Sequence, residues 1–120
     1  MLKKILVVED DPDISEMITY VLQEEGYEVV LSEDGEACQH LLEKLPDRIL
    51  MDIRLKAAGA NGDIICGRIQ SSSETRFFRV VLLSDEFDLP ALSKACGADG
   101  FISKPFNLGE FTETVRGLIR

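Results

Sequence analysis

Basic side chains are scarce in this sequence: 13 Lys and Arg stand against 22 Asp and Glu, a net charge of −9 over 120 residues. A nucleic-acid or anionic-membrane surface needs a positive patch to neutralise phosphates, so neither is expected as a direct ligand. Histidine is nearly absent, and the only one, His40, falls on the polar side of a helical stretch and reads as solvated rather than catalytic. Metal-ligand spacing is missing from the three cysteines, Cys38, Cys66 and Cys96. Their odd number also argues against a disulfide framework, so a reducing compartment is expected, with all three as small buried or half-buried side chains rather than redox groups. Long hydrophobic runs are lacking too. Met1-Leu2-Lys3-Lys4 followed by four apolar residues begins like an export signal but stops at Glu9-Asp10-Asp11, and nothing reaches the length of a bilayer span. A cytoplasmic location is the expectation.

What remains is enough for one domain over residues 1–120, long enough to bury a core without staples. Short aliphatic and β-branched runs at residues 5–8, 29–31, 49–53, 80–83 and 100–102 read as five buried strands. Between them the period changes to helical. Ile14, Met17, Ile18, Val21 and Leu22 form one stripe, with Asp11 as N-cap, Pro12 in the first turn and Gly26 as the stop. Cys38, Leu41, Leu42 and Leu45 repeat the stripe before Pro46, and Leu108, Phe111, Val115, Leu118 and Ile119 repeat it near the C-terminus. Weaker helices are expected over 63–70 and 89–96. Alternating strand and helix implies right-handed crossovers and a parallel sheet covered on both faces, an α/β fold.

In an open parallel sheet, ligands bind beyond the carboxyl ends of the strands. The first strand here ends in Glu9-Asp10-Asp11, the third carries Asp52, the fourth is followed by Ser84 and the fifth by Ser103-Lys104-Pro105. Crowded carboxylates repel unless a positive group sits among them. Mg²⁺, which takes oxygen ligands and commonly one or two carboxylates plus phosphate, suits Asp10 and Asp52 as direct ligands and Glu9 through water. With Asp52 as nucleophile, the Ser84 hydroxyl and the Lys104 ammonium would stabilise the equatorial oxygens of a transferring phosphoryl group.

These segments, Ile5-Leu6-Val7-Val8-Glu9-Asp10-Asp11, Leu50-Met51-Asp52-Ile53-Arg54-Leu55, Leu82-Leu83-Ser84 and Phe101-Ile102-Ser103-Lys104-Pro105-Phe106, in that order and spacing, resemble the response-regulator receiver family over essentially the whole chain. The resemblance implies a flavodoxin-like (βα)5 doubly wound sandwich with a sheet of order 2-1-3-4-5. It implies phosphorylation of Asp52 by a histidine kinase or phosphotransfer protein, with Mg²⁺ held by Asp10, Asp52 and the Arg54 backbone carbonyl, and Glu9 nearby. It further implies a cis peptide before Pro105, a switch in which Ser84 moves toward the phosphoryl group and Phe101 follows inward, and a surface of fourth helix, fifth strand and fifth helix that serves dimerisation or output. Such a domain catalyses only its own phosphorylation and dephosphorylation and is not otherwise an enzyme.

Two departures from the family pattern stand out. The segment Lys56-Ala57-Ala58-Gly59-Ala60-Asn61-Gly62 is longer than usual and lacks the customary Pro-Gly, which favours mobility beside the metal. Asp85 follows Ser84, where a carboxylate would hinder an incoming anion. Two rival readings remain: a degenerate receiver that binds partners without phosphate, and an aspartyl-nucleophile phosphohydrolase using Asp11-Pro12-Asp13. Dinucleotide binding is disfavoured, because strand one leads into carboxylates rather than a glycine-rich turn.

Overall fold

A computed structural model describes residues 3–33, 36–55, 61–104 and 106–119. Among these, strands β1 (Lys4–Val8), β2 (Glu28–Ser32), β3 (Arg48–Asp52), β4 (Val80–Ser84) and β5 (Gly100–Ser103) alternate with helices α1 (Pro12–Glu24), α2 (Leu41–Lys44), α3 (Gly62–Ser71), α4 (Leu89–Cys96) and α5 (Leu108–Ile119). A 3-10 turn, Glu36–His40, leads into α2. The strands form one parallel sheet in the order β2-β1-β3-β4-β5. This is the expected doubly wound topology.

Period-two alternation divides the strand side chains between two cores. Leu6, Val8, Ile49, Met51, Val80 and Leu82 face α2, α3 and α4, where Leu41, Cys66, Ile69 and Leu89 meet them. Ile5, Val7, Leu50, Val81, Leu83 and Ile102 face α1 and α5, meeting Ile18, Val21, Leu22, Phe111 and Val115. Burial on both faces is why these strands read as unbroken apolar runs. The expectation of five buried strands holds only for the inner three. β2 and β5, each with a neighbour on one side only, leave Leu31 and Phe101 exposed.

The start of α1 is as its sequence indicates. Asp11 Oδ1 accepts hydrogen bonds from the amides of Asp13 (3.0 Å) and Ile14 (3.3 Å), and Pro12 opens the helix. Gly26, at φ 89, turns the chain after it. The second helix departs from expectation. It is a single turn, because Pro46 disfavours helical backbone at the residue before it, and Leu45 closes the turn at φ 47. Of the predicted stripe only Leu41 is buried and Cys38 half-buried, whereas Leu42 and Leu45 are exposed. In α5, Phe111 and Val115 are fully buried but Leu108 is exposed; the side chains of Leu118 and Ile119 lie outside the description. β3 sits one residue earlier than expected, and α3 extends one residue further at each end.

Candidate functional site

Register decides which side chains share the carboxyl end of the sheet. Val8 pairs with Met51, Asp52 with Leu83, and Ser84 with Ser103, so β1, β3, β4 and β5 finish at nearly one level. The backbone continues the ladder past the strands: the Glu9 amide donates to Ser32 (3.2 Å), that of Ile53 to Leu83 (3.2 Å) and that of Lys104 to Ser84 (2.8 Å). These bonds fix Glu9, Asp52, Ser84 and Lys104 on one rim.

There the carboxylates converge. One oxygen each from Glu9, Asp10 and Asp52 lies within 4.8 Å of the others. Glu9 and Asp52 are only 1% and 6% exposed, and Lys104 Nζ reaches both, 3.2 Å from Glu9 Oε2 and 3.5 Å from Asp52 Oδ1. Burial, reinforced by the neighbouring Asp52 charge, pushes the Glu9 carboxyl up to about 7 despite the Lys104 ammonium. Burial likewise raises Asp52, opposed by Lys104 and by hydrogen bonds to its carboxylate. A single ammonium therefore does not neutralise the cluster. The donor set is all oxygen, the hard-ligand chemistry that magnesium prefers, and a divalent cation would offset the Asp52 charge that adds to burial in raising Glu9. The residues present fit such an ion.

Ser84 is buried, its Oγ accepting the Glu86 amide at 3.0 Å. The Arg54 side chain pairs with two acids of the segment after β4. Its Nε donates to Glu86 Oε1 at 2.7 Å, and a terminal nitrogen lies 3.9 Å from Asp85 Oδ1. This joins the segment after β3 to the segment after β4 and offsets the Asp85 charge that sequence reasoning set against an approaching anion. Phe101 is 39% exposed, turned outward beside Phe106 and Phe111 over a shallow pocket of about 220 Å³. Asp11, the nucleophile of the rival phosphohydrolase reading, is exposed and occupied as a helix cap. Pro105 and residues 56–60 lie outside the described residues, as do the expectations placed on them.

Two contributors escaped the sequence reading. Glu86 gave no signal, since its partner Arg54 is 32 residues away in another loop. Gly62, read as loop, opens α3 directly behind Asp52: its amide donates to Ile53 at 2.7 Å, and a Cβ would collide with the Asp52 carbonyl. The Asn61-Gly62 pair before a helical stretch was the available clue.

A doubly wound parallel sheet with a buried acidic cluster and a lysine at its carboxyl rim defines an α/β domain with a candidate metal centre. The model of the response regulator receiver domain matches residues 5–116, and the chain belongs to that family, as the receiver domain of a two-component response regulator. It is 35% identical, over 121 aligned positions, to the DNA-binding response regulator MtrA of Mycolicibacterium smegmatis, covering 100% of this chain and 52% of that protein. The chain spans about half the length of the curated relatives it matches. Among solved structures, a putative response regulator from Chloroflexus aurantiacus superposes with a TM-score of 0.88 at 28% identity, covering 99% of this chain and 98% of that one. The receiver domain of sensor histidine kinase PA1611 from Pseudomonas aeruginosa, described with a magnesium ion coordinated in its active-site cleft, gives a TM-score of 0.83 at 27% identity, covering 99% and 98%. Among the described residues no helix is long and apolar enough to cross a membrane.

Proposed function

We propose that Asp52 is the phosphoacceptor, with Glu9, Asp10, Asp52 and the Arg54 backbone carbonyl holding Mg²⁺ and with Ser84 and Lys104 acting on the transferred group. The observation that carries this reading is the Lys104 ammonium between Glu9 and Asp52, 3.2 and 3.5 Å away. A carboxylate oxygen of Asp52 attacks phosphorus, the bond to a donor imidazole breaks, and the histidine of a kinase or phosphotransfer protein departs. Lys104, already within reach of Asp52, transfers its contact to a phosphoryl oxygen, and the Ser84 hydroxyl supplies a second donor. A bound Mg²⁺ contributes neutralisation of charge on the acids and the phosphoryl oxygens.

The signalling surface is proposed to be α4, β5 and α5. Phe101 and Leu108 are exposed on it, and after phosphorylation Ser84 moves toward the phosphoryl group and Phe101 follows inward to change it, a local charge event biasing a bistable element and favouring a homodimer. The domain resides in the cytoplasm as a unit of residues 1–120 and catalyses only its own phosphoryl exchange. Its net charge of −9 leaves nucleic-acid contact to other parts of a longer protein, if one is present. The MtrA protein is named as DNA-binding, which concerns a chain about twice this length.

The test is Mg²⁺-dependent acyl-phosphate formation from a small phosphoramidate donor, read by intact mass. Asp52→Asn is expected to abolish the modification and Asp11→Asn to retain it. Loss in Asp11→Asn alone would instead favour the phosphohydrolase reading, and no modification of the wild type by donor or kinase would favour a binding module that never takes phosphate.

A further inference from the structure

Away from the acidic rim, α3 and α4 bring two thiols together. Cys66, on α3, is fully buried, and Cys96, the last residue of α4, is half-buried. The Cys66 thiol donates to the Cys96 carbonyl oxygen at 3.6 Å, and the two side chains also interact directly. The junction is tight for a structural reason. Gly97 ends α4 at φ 79, and a Cβ there would stand 3.4 Å from Cβ and Cγ of Gln70 on α3. The positive φ is what favours glycine at this corner, beside the contact between Cys66 and Cys96. Phosphoryl transfer at Asp52 uses neither sulfur.

We propose that Cys66 and Cys96 form a modification site, oxidised by a hydroperoxide to an intramolecular disulfide that ties the end of α4 to α3. Cys96, the more exposed, reacts first. Its thiolate attacks one peroxide oxygen, the O–O bond breaks, and the other oxygen leaves and takes up a proton as water, or as alcohol from an alkyl peroxide, giving a sulfenic acid. The Cys66 sulfur then attacks the sulfenic sulfur, the S–O bond breaks, and the hydroxyl leaves with the Cys66 proton as water. Two thiols lose two electrons in all, and the peroxide gains them. Burial and the neighbouring Cys96 hold the Cys66 thiol well above its ordinary range, which makes it the resolving partner rather than the first to react. The Cys96 sulfur lies 3.5 Å from the Ser93 carbonyl, and the disulfide replaces that weak contact. A disulfide needs its two residues close together, and the Cys66 sulfur already lies 3.6 Å from the Cys96 backbone oxygen.

The experiment treats the 120-residue chain with hydrogen peroxide, blocks free thiols under denaturing conditions and maps peptides without reduction. The expected result is a monomer two hydrogen atoms lighter before blocking, with the Cys66 and Cys96 peptides joined and Cys38 recovered carrying the thiol block. Cys38→Ser should leave the yield unchanged. Cys96→Ser, at a half-buried position, should keep Cys66 reduced under the same treatment, with circular dichroism verifying the fold. Recovery of Cys66 as a free thiol while Cys96 proceeds to sulfinic acid, or pairing through Cys38 or between chains, would overturn the proposal. So would undiminished oxidation of Cys66 in Cys96→Ser.

Discussion

The two ends of the sheet carry the same residue types to opposite effect. At the amino end Asp47 Oδ2 accepts the Lys4 amide at 2.7 Å, and Asp99 Oδ2 accepts the Val80 amide at 2.8 Å. Each carboxylate there is exposed and satisfies a strand amide, work that any well-folded protein needs done. At the carboxyl end Glu9 and Asp52 are buried and face one another and Asp10. Asp11, one residue further, returns to the structural pattern by capping α1. An acid that answers a backbone amide stabilises the fold, whereas buried acids that answer each other cost stability and point to an ion or a phosphate.

Several substitutions would break or sharpen this contrast. The largest effect is expected for Lys104→Met, which removes the cation reaching both buried acids. Phosphorylation from a small donor should fall by about 100-fold, the usual loss for a group stabilising transition-state charge, as followed by intact mass against time. Gly62→Ala should follow, because its Cβ has no room behind Asp52. Overpacking of this kind costs about 3 kcal/mol, measurable by urea unfolding.

A pH effect comes next. Glu9 moves from 4.5 to about 7 on folding, so the folded state holds this proton more tightly than the unfolded chain. The stability this contributes is complete below about pH 4.5 and is lost as pH rises through about 7. Metal-free protein should therefore lose on the order of 2 kcal/mol between about pH 5 and 8, and Glu9→Gln should flatten that part of the curve in parallel urea titrations. The smallest effect belongs to the other end: Asp99→Ala should cost about 1 kcal/mol for a lost hydrogen bond and leave phosphorylation unchanged. A phosphorylation defect in Asp99→Ala as deep as in Lys104→Met would erase the distinction between the two ends.

How much of this was legible follows from where the information lies. The inner strands announced themselves because two-sided burial demands unbroken apolar runs, and α1 because Asp11, Pro12 and Gly26 are local signals. Glu9, Asp10, Asp52, Ser84 and Lys104 were readable as a group because a parallel sheet brings strand ends together, and the structure does gather them. The second helix misled, since Leu42 and Leu45 match a helical stripe that Pro46 truncates. The Arg54–Glu86 pair was invisible because two loops far apart in sequence meet only after the sheet forms. Gly62 was missed because its constraint comes from the Asp52 carbonyl rather than from its neighbours. Exposure of β2 and β5 followed from their edge positions, which strand composition does not encode.

The most direct test of the central claim is a calorimetric Mg²⁺ titration of the unphosphorylated chain near pH 8, where Glu9 has released its proton, beside the Asp10→Asn variant. The account predicts one saturable site in the wild type and an affinity lower by about tenfold or more in the variant, as loss of a carboxylate ligand to magnesium requires. Absence of binding to the wild type, or equal affinity in the two proteins, would contradict it.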